Sequence, residues 1–177
     1  MKKFLSVVIA IISFFICYFL QSNLFSWFTI HGIKPNLFII LILFLGLFGG
    51  RKLGVSLGIL FGIILDFLSS YQVGVSAIMF SIIGYLGGYF DKNFSKESRI
   101  TIIIMVTGAT FICELGVYLI NSFILESNII MMDFLKVVII EILYNIILTI
   151  ILYPVLQKLG YILEKQFKKS QILTRYF

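Results

Sequence analysis

Apolar runs separated by short polar segments make up most of the chain. A bilayer asks for about 20 apolar residues per helical crossing, so runs of this kind predict transmembrane helices. The second run is shorter than that length. It begins at Pro35, which is compatible with a helix start because proline at a first helical position loses no hydrogen bond. The predicted spans are residues 4–20, 35–49, 53–68, 73–90, 100–125 and 134–156.

Charged residues are too few for a soluble domain of this length. Of the 177 residues, 60% are hydrophobic and 12% are charged, whereas soluble domains are about a quarter charged. Gln21, Ser22 and Asn23 follow the first run where a signal peptide would have small residues, so we interpret this run as an uncleaved span. We therefore predict an all-α integral membrane protein, with residues 1–156 forming a compact bundle of six transmembrane helices.

Basic residues lie at the ends of the apolar runs, and orientation in a bilayer explains the net charge of +6 better than nucleic-acid binding does. With the N-terminus in the cytoplasm, only Lys34 and Lys136 of the 14 lysines and arginines fall outside. Since basic loops favour the cytoplasmic side, both termini are predicted to be cytoplasmic. Residues 157–177 mix basic with apolar side chains, which predicts an amphipathic cytoplasmic tail that binds anionic lipid.

A small residue returns at every fourth position from Gly46 to Gly62, and Asp66 takes the next place. Residues four apart share one face of a helix, so the third span should carry a strip without side chains that ends in one acid. Such a strip lets a neighbouring backbone approach closely in lipid. The neighbour is either another helix of this chain or a partner helix. The short turn between the third and fourth spans favours internal packing. We define the glycine strip as Gly54, Gly58, Gly62 and Asp66.

Two further acids, Glu114 and Glu141, fall at membrane depth. A buried ionised carboxylate is costly, and no lysine or arginine lies deep in the predicted spans, so protonation or hydrogen bonds to neutral groups are expected. The polar lines at helical spacing are Glu141, Asn145 and Thr149 on the sixth span and Thr107, Thr110, Glu114, Tyr118 and Asn121 on the fifth.

If these two lines face each other, the bundle has a polar seam that includes Glu114, Glu141 and Asn145. One alternative is a functional seam, meaning a proton or cation path or a pocket for a small polar ligand. The other is a structural seam, in which hydrogen bonds fix the helix packing at about 0.6 kcal/mol per contact and up to about 2. The second alternative is favoured, because no acid pair occupies one motif.

Nucleophilic and metal-dependent catalysis have no support in the sequence. His31 is the only histidine and stands in a loop segment without a serine or cysteine motif around it. Cys17 and Cys113 lie within apolar runs and lack metal-ligand spacing, so we interpret them as buried apolar side chains. No phosphate-binding loop is present. We predict no catalytic residue, no metal, no cofactor and no enzymatic activity.

Residues 34–88 carry features that, taken together, resemble the MreD family of rod-shape-determining membrane proteins. The features are the Pro35-Asn36 entry to the second span, the Gly58-x3-Gly62-x3-Asp66 strip, and Gly74 followed by Tyr85 in the fourth span. Length, six predicted spans and cytoplasmic termini also agree with that family. Outside residues 34–88 the resemblance is one of pattern only.

The resemblance implies a non-catalytic component of the bacterial cell-elongation machinery, multi-pass in the cytoplasmic membrane. Proteins of this family associate with the membrane-anchored periplasmic protein MreC, and indirectly with MreB filaments and peptidoglycan synthases. A fold like the substrate-binding subunits of energy-coupling-factor transporters is also implied. The family motif maps onto Pro35, Asn36, Gly58, Gly62, Asp66 and Gly74.

Within this motif we expect Gly58 and Gly62 to admit a close helix neighbour. Asp66 is expected to accept hydrogen bonds at the outer end of its span, from backbone N–H groups near Gly74. Two other functions stay open. One is a small-molecule-binding subunit of a transporter that uses Glu114 and Glu141 in a pocket, and the other is an assembly chaperone for membrane proteins.

Overall fold

The computed structural model describes residues 2–69, 74–93, 98–125 and 131–167. Residues 69, 91–93, 99 and 131–133, predicted to belong to the turn and loops between the spans, are helical instead. Residues 70–72, 94–97 and 126–130 of that turn and those loops fall outside the described ranges, as do residues 168–177 of the predicted tail. The placement of those segments therefore stays a prediction.

The described chain is helical throughout its regular structure, as the apolar runs predict. A π-helical turn, Leu20–Leu24, joins the first two helices. A single isolated β-bridge among the described residues pairs Ile30 with Ile33. The helices are α1 (Lys2–Phe19), α2 (Phe25–Trp27), α3 (Leu37–Gly49), α4 (Arg51–Ser69), α5 (Val75–Asn93), α6 (Arg99–Leu125) and α7 (Met131–Phe167).

Four segments within the described ranges are long and apolar enough to cross a membrane: Val7–Trp27, Arg51–Ser69, Arg99–Phe123 and Met131–Lys165. The apolar helices Leu37–Gly49 and Val75–Asp91 are shorter. Each of the six predicted spans falls on a helix, and the helix bounds differ from the predicted ones by a few residues, except at the end of α7. The number of crossings and the side of the termini stay predictions.

Apart from the one-turn helix α2, α3 is the shortest α-helix described, and it lies at the centre of the bundle. All residues from Leu37 to Phe48 are buried, and α3 contacts α1, α4, α5, α6 and α7. Its 13 residues rise about 20 Å, less than the hydrocarbon thickness of about 30 Å. A helix that is apolar on every side suits burial in protein. Because other helices surround α3, it need not match the thickness of the bilayer by itself. This explains how the span that begins at Pro35 can be so short.

Aromatic side chains join α1 to this centre. Phe14 of α1 is fully buried. Its ring stacks on Phe61 of α4 with 4.5 Å between centroids and lies 5.2 Å from the ring of Phe38 of α3. Aromatic pairs at these separations contribute about 0.5–1.5 kcal/mol beyond the area they bury. The first helix is therefore packed into the bundle as an integral part of it.

Helix α7 continues across the boundary predicted between residues 156 and 157. Pro154 lies inside the helix, which runs on to Phe167. Leu163 is buried, and Gly160 lies against the Phe48 ring at the end of α3. Neighbouring helices can compensate for a proline inside a membrane helix. The first part of the predicted tail is thus packed on the bundle as a continuation of α7, and the surface location of the rest stays a prediction.

Candidate functional site

The glycine strip of α4 packs on the backbone of α5. A Cβ atom built on Gly58 would overlap the carbonyl oxygen of Phe80, and one on Gly62 would overlap the Cα of Ala77. Gly54 lies in the same way against the carbonyl of Gly84. The partner moves back along α5 as the glycine moves forward along α4, so the two helices are antiparallel along the whole strip. The close neighbour is a helix of this chain, as the short connection between the two spans favours.

A second group of glycines brings α3 into the same contact. A Cβ on Gly46 would overlap the carbonyl oxygen of Gly84, and Gly54 lies against the Cα of Gly46. Gly87 of α5 lies against the carbonyl of Leu43. Three helix backbones therefore meet at Gly46, Gly54 and Gly84 with no side chain between them. Because backbone atoms cannot rotate away, this junction depends on glycine at each position.

Asp66 ends the strip and caps the next helix. Its side chain is buried, with 2% exposure. Oδ2 accepts a hydrogen bond from the backbone N–H of Gly74 at 2.7 Å, and Oδ1 accepts one from Ser76 N–H at 3.3 Å. The first N–H groups of a helix have no partner inside it, and the helix dipole favours negative charge there. The expected hydrogen bonds near Gly74 are therefore present, and they explain how a buried acid is accommodated.

Gly74 is also required by its backbone conformation. Its φ of +107° lies in the region that side chains disfavour and that glycine adopts freely. This conformation turns the chain into α5 and places the Gly74 N–H on Asp66. The acid, the turn glycine and the α5 N-terminus thus form one capping unit.

A polar cluster lies between α3, α6 and α7, with Asn145 at its centre. Asn145 is fully buried. Its Nδ2 donates to Thr110 Oγ1 on α6 at 3.0 Å, and its Oδ1 accepts from the backbone N–H of Asn36 at 2.9 Å. Thr149 Oγ1 donates to the Asn145 carbonyl at 2.6 Å. The two polar lines therefore face each other, as the predicted seam requires, and α3 joins them.

The start of α3 has its N–H groups satisfied by side chains far away in sequence. Asn36 makes no side-chain cap, but Asn145 accepts from its backbone N–H, and Gln21 Oε1 accepts from the Leu37 N–H at 3.0 Å. Free N–H groups buried at a helix start are costly. Gln21, from the π-helical turn, was not among the predicted site residues. The signal that could have found it is the need for acceptors at a buried helix start without a capping side chain.

Glu114 and Glu141 complete the cluster. Glu141 is buried, with 6% exposure. Its side chain lies near Glu114, Asn145 and Asn36, and its Oε1 has no hydrogen-bond partner among the described residues. The cluster therefore contains two carboxyl groups, two amides and two hydroxyls, with contributions from three helices. Hydrogen bonds through Asn145 join the start of α3 with α6 and α7 here, and the polar groups of the cluster are the chemistry available for a ligand.

A scan against family models matches residues 1–162 of the chain to the family described as rod shape-determining protein MreD. The chain belongs to the MreD family. The resemblance inferred from residues 34–88 is therefore confirmed, and the match extends over most of the chain. No curated protein and no solved structure matches.

Membership of the MreD family carries a role in rod-shape determination. The family is one of shape-determining structural proteins that reside in membranes, in agreement with the four long apolar helical segments. The roles of individual residues are not part of that finding and stay predictions.

The predicted motif residues of this MreD-family protein divide between the two structural features. Gly54, Gly58, Gly62, Asp66 and Gly74 belong to the contact of α4 with α5. Asn36 belongs to the polar cluster at the start of α3, beside Glu141 and Asn145, and Pro35 directly precedes it. The sequence pattern did not link Asn36 with Asn145. Through this hydrogen bond, α7 in the second half of the chain contacts the family motif in the first half.

Asn145→Leu is expected to lower the melting temperature of this MreD-family protein clearly. The variant removes the acceptor for Asn36 N–H and the donor to Thr110, and each buried group left without a partner costs about 1–3 kcal/mol. Tyr144→Phe is the matched control, because its hydroxyl donates to the Phe28 carbonyl at an exposed position. Thermal unfolding in detergent, followed by circular dichroism, measures both. Equal melting temperatures for the two variants would contradict the central role of Asn145.

Proposed function

We propose that this MreD-family protein is a non-catalytic membrane scaffold of the bacterial cell-elongation complex. It resides in the cytoplasmic membrane with six crossings and both termini inside. Through helix–helix contacts it binds an MreC-type membrane-anchored periplasmic protein, and through that protein it acts with MreB filaments and peptidoglycan synthases. The basic tail holds to anionic lipid, where each basic residue contributes about 1 kcal/mol.

The observation that carries this proposal is that the motif residues contact other helices of the same chain. The glycine strip is covered by α5, and both oxygens of Asp66 accept bonds from the α5 N-terminus. Side chains used in this way make a rigid bundle. Nearly all the described mass lies in apolar helices whose outer side chains are exposed, among them Phe111, Phe123 and Ile151. A protein of this kind acts through its lateral surfaces, which is what a membrane scaffold requires.

The exposed aromatic residues between α1 and α3 support an interfacial position for this segment. Trp27 is 88% exposed and Phe28 is 62% exposed. With the N-terminus inside, these residues fall at the outer edge of the membrane. Tryptophan and other amphipathic rings concentrate at membrane–water interfaces. Residues 25–30 thus fit an interfacial position on the periplasmic side, where an MreC-type partner has its soluble part.

Co-purification from native membranes tests the proposal. Tagged wild-type protein extracted in mild detergent should recover cell-wall elongation proteins, including an MreC-type protein, identified by mass spectrometry. Asp66→Ala should recover them severalfold less well, because the α5 cap is lost. Asp133→Asn is the matched control, since this acid lies exposed in the first turn of α7. Recovery of an ATP-binding transport module or of a stoichiometric small molecule would contradict the scaffold and favour a transporter subunit.

A further inference from the structure

Arg51 begins α4, one of the segments long enough to cross a membrane, so it lies at the level of the lipid headgroups when α4 crosses. The first turn of α4 contains two cations, Arg51 and Lys52, and no acidic residue. The N-terminus of a helix is the positive end of its dipole, where negative charge is stabilising and positive charge is not. The start of α4 therefore has an excess of positive charge that its own first turn does not offset.

The side chain of Arg51 is held in one place by α5. A Cβ built on Gly88 would overlap the Arg51 backbone, and the Arg51 Cγ lies beside it, so the side chain starts across the bare backbone of α5. Its guanidinium then lies over two rings of α5, with Cζ 5.4 Å from the centroid of Tyr85 and 5.0 Å from that of Tyr89. A cation within about 6 Å of a ring centroid is attracted to the ring face. Packing and the two rings thus orient the guanidinium without a ligand.

The rings orient the guanidinium but do not offer hydrogen-bond acceptors in the usual sense. Among the residues that the structure describes, the buried Nε of Arg51 has no hydrogen-bond partner, and no acid pairs with Arg51 as Asp133 pairs with Lys136. Arg51 as a whole is only partly buried, so part of its fork of N–H donors is accessible from outside. Such a fork matches the oxygens of a carboxylate or a phosphate. An oriented fork without an acidic partner, at the positive end of a helix, fits an anion.

The surface beside Arg51 indicates which anion. Ile78, Ile82, Tyr85 and Tyr89 follow one another at helical spacing on one face of α5, and all four side chains are exposed. The isoleucines offer an apolar surface that continues from the two rings along the span, and tyrosine is a residue that concentrates at membrane–water interfaces. A cation at headgroup level above an apolar stripe of this kind matches a phospholipid, with its phosphate on the cation and an acyl chain on the stripe.

We infer that Arg51, oriented by Tyr85 and Tyr89, binds the phosphate group of an anionic phospholipid. Arginine and phosphate form charge-assisted, often bidentate hydrogen bonds, and basic sites between membrane helices are known to hold lipid headgroups. The site is separate from the basic tail. Its location in the cytoplasmic leaflet rests on the orientation given with the proposed function, whereas the binding itself does not depend on the scaffold role.

Native mass spectrometry of the delipidated protein tests the inference. Full-length protein in neutral detergent is titrated with phosphatidylglycerol, or with phosphatidylcholine, which has a phosphate but no net charge. The wild type should bind one phosphatidylglycerol about tenfold more tightly than Arg51→Gln, because hydrogen bonds to a charged group are lost, and it should prefer this lipid to phosphatidylcholine. Arg51→Lys keeps the charge without the fork and should bind less tightly than the wild type. Lys52→Gln is the matched control, since it removes the same charge from the next residue, which is exposed, and it should keep the binding.

Photolabelling of the wild type keeps the test valid if Arg51→Gln does not fold. Phosphatidylglycerol with a photoreactive headgroup should label the first turn of α4 or the end of α5 near Tyr89, and an excess of the unlabelled lipid should prevent this. Equal losses of binding in Arg51→Gln and Lys52→Gln would show unspecific attraction to charge, and the inference would be wrong. Displacement of the lipid by inorganic phosphate at constant ionic strength would assign the site to a free phosphate, and labelling confined to other helices would overturn the inference as well.

Discussion

Replacing Gly62 by alanine is expected to destabilise the protein strongly, although alanine is the better helix former. A Cβ at this position would overlap the Cα and N atoms of Ala77, which belong to the α5 backbone. Overpacking costs about 1–3 kcal/mol, and the upper end applies here because a backbone cannot rotate away as a side chain can. Gly62→Leu, with a larger side chain, should prevent the α4–α5 contact and abolish folding or complex formation.

Gly108→Ala is the matched control for this substitution. Gly108 lies in α6, and a Cβ built on it meets nothing within 4 Å. Removing a glycine from a helix interior gains about 1 kcal/mol of helix propensity. Thermal unfolding in detergent should therefore give opposite signs, with a lower melting temperature for Gly62→Ala and an equal or higher one for Gly108→Ala. If both variants melt like the wild type and still recover the same partners, the glycine strip is not a packing surface.

The glycine strip could be predicted because its information is local. A period of four places Gly54, Gly58 and Gly62 on one face whatever the rest of the chain does. The short connection to the next span then limits which helix can cover that face. The Asp66 cap is also nearly local, since Gly74 follows eight residues later. For these features, helical geometry and chain length suffice.

The polar cluster could be predicted only in part. Spacing placed Glu141 and Asn145 on one face of a helix and Glu114 on one face of another, but it left open whether the faces meet. The bond between Asn36 and Asn145 joins residues 109 positions apart, and no periodicity reports on such a distance. The same holds for Gln21 at the start of α3. These contacts follow from the tertiary packing of α3.

The extent of α7 shows a different limit of local reasoning. Pro154 and the basic residues after it indicate the end of a span, and a separate surface tail is the natural interpretation. The helix nevertheless runs on to Phe167, and Leu163 is buried. Tyr161 lies with its ring edge on Phe48 at 5.5 Å between centroids. Packing against the end of α3 stabilises a helix that local signals would end.

Replacing Asp66 by alanine is expected to loosen the start of α5 and lower the stability of the whole bundle. The variant leaves the N–H groups of Gly74 and Ser76 without their acceptors. Loss of a helix cap costs about 1 kcal/mol and up to about 2. The lost charge–dipole interaction adds up to about 2 kcal/mol. Asp66→Asn keeps one acceptor oxygen and should fall between the wild type and Asp66→Ala.

Hydrogen exchange separates this capping role from a general loss of stability. In Asp66→Ala, amides in the first turn of α5 should exchange faster than in the wild type under conditions where the amides of α7 are still protected. From wild type to Asp66→Asn to Asp66→Ala, exchange at the start of α5 should become faster and the melting temperature should fall. Asp133→Ala is the control, because Asp133 lies in the first turn of α7 with its side chain 60% exposed, and it should change neither quantity much. Unchanged exchange at the start of α5 in Asp66→Ala would show that the acid does not cap that helix. The charge at the end of the glycine strip would then need another explanation, because a buried carboxylate without partners is among the costliest groups a membrane bundle can contain.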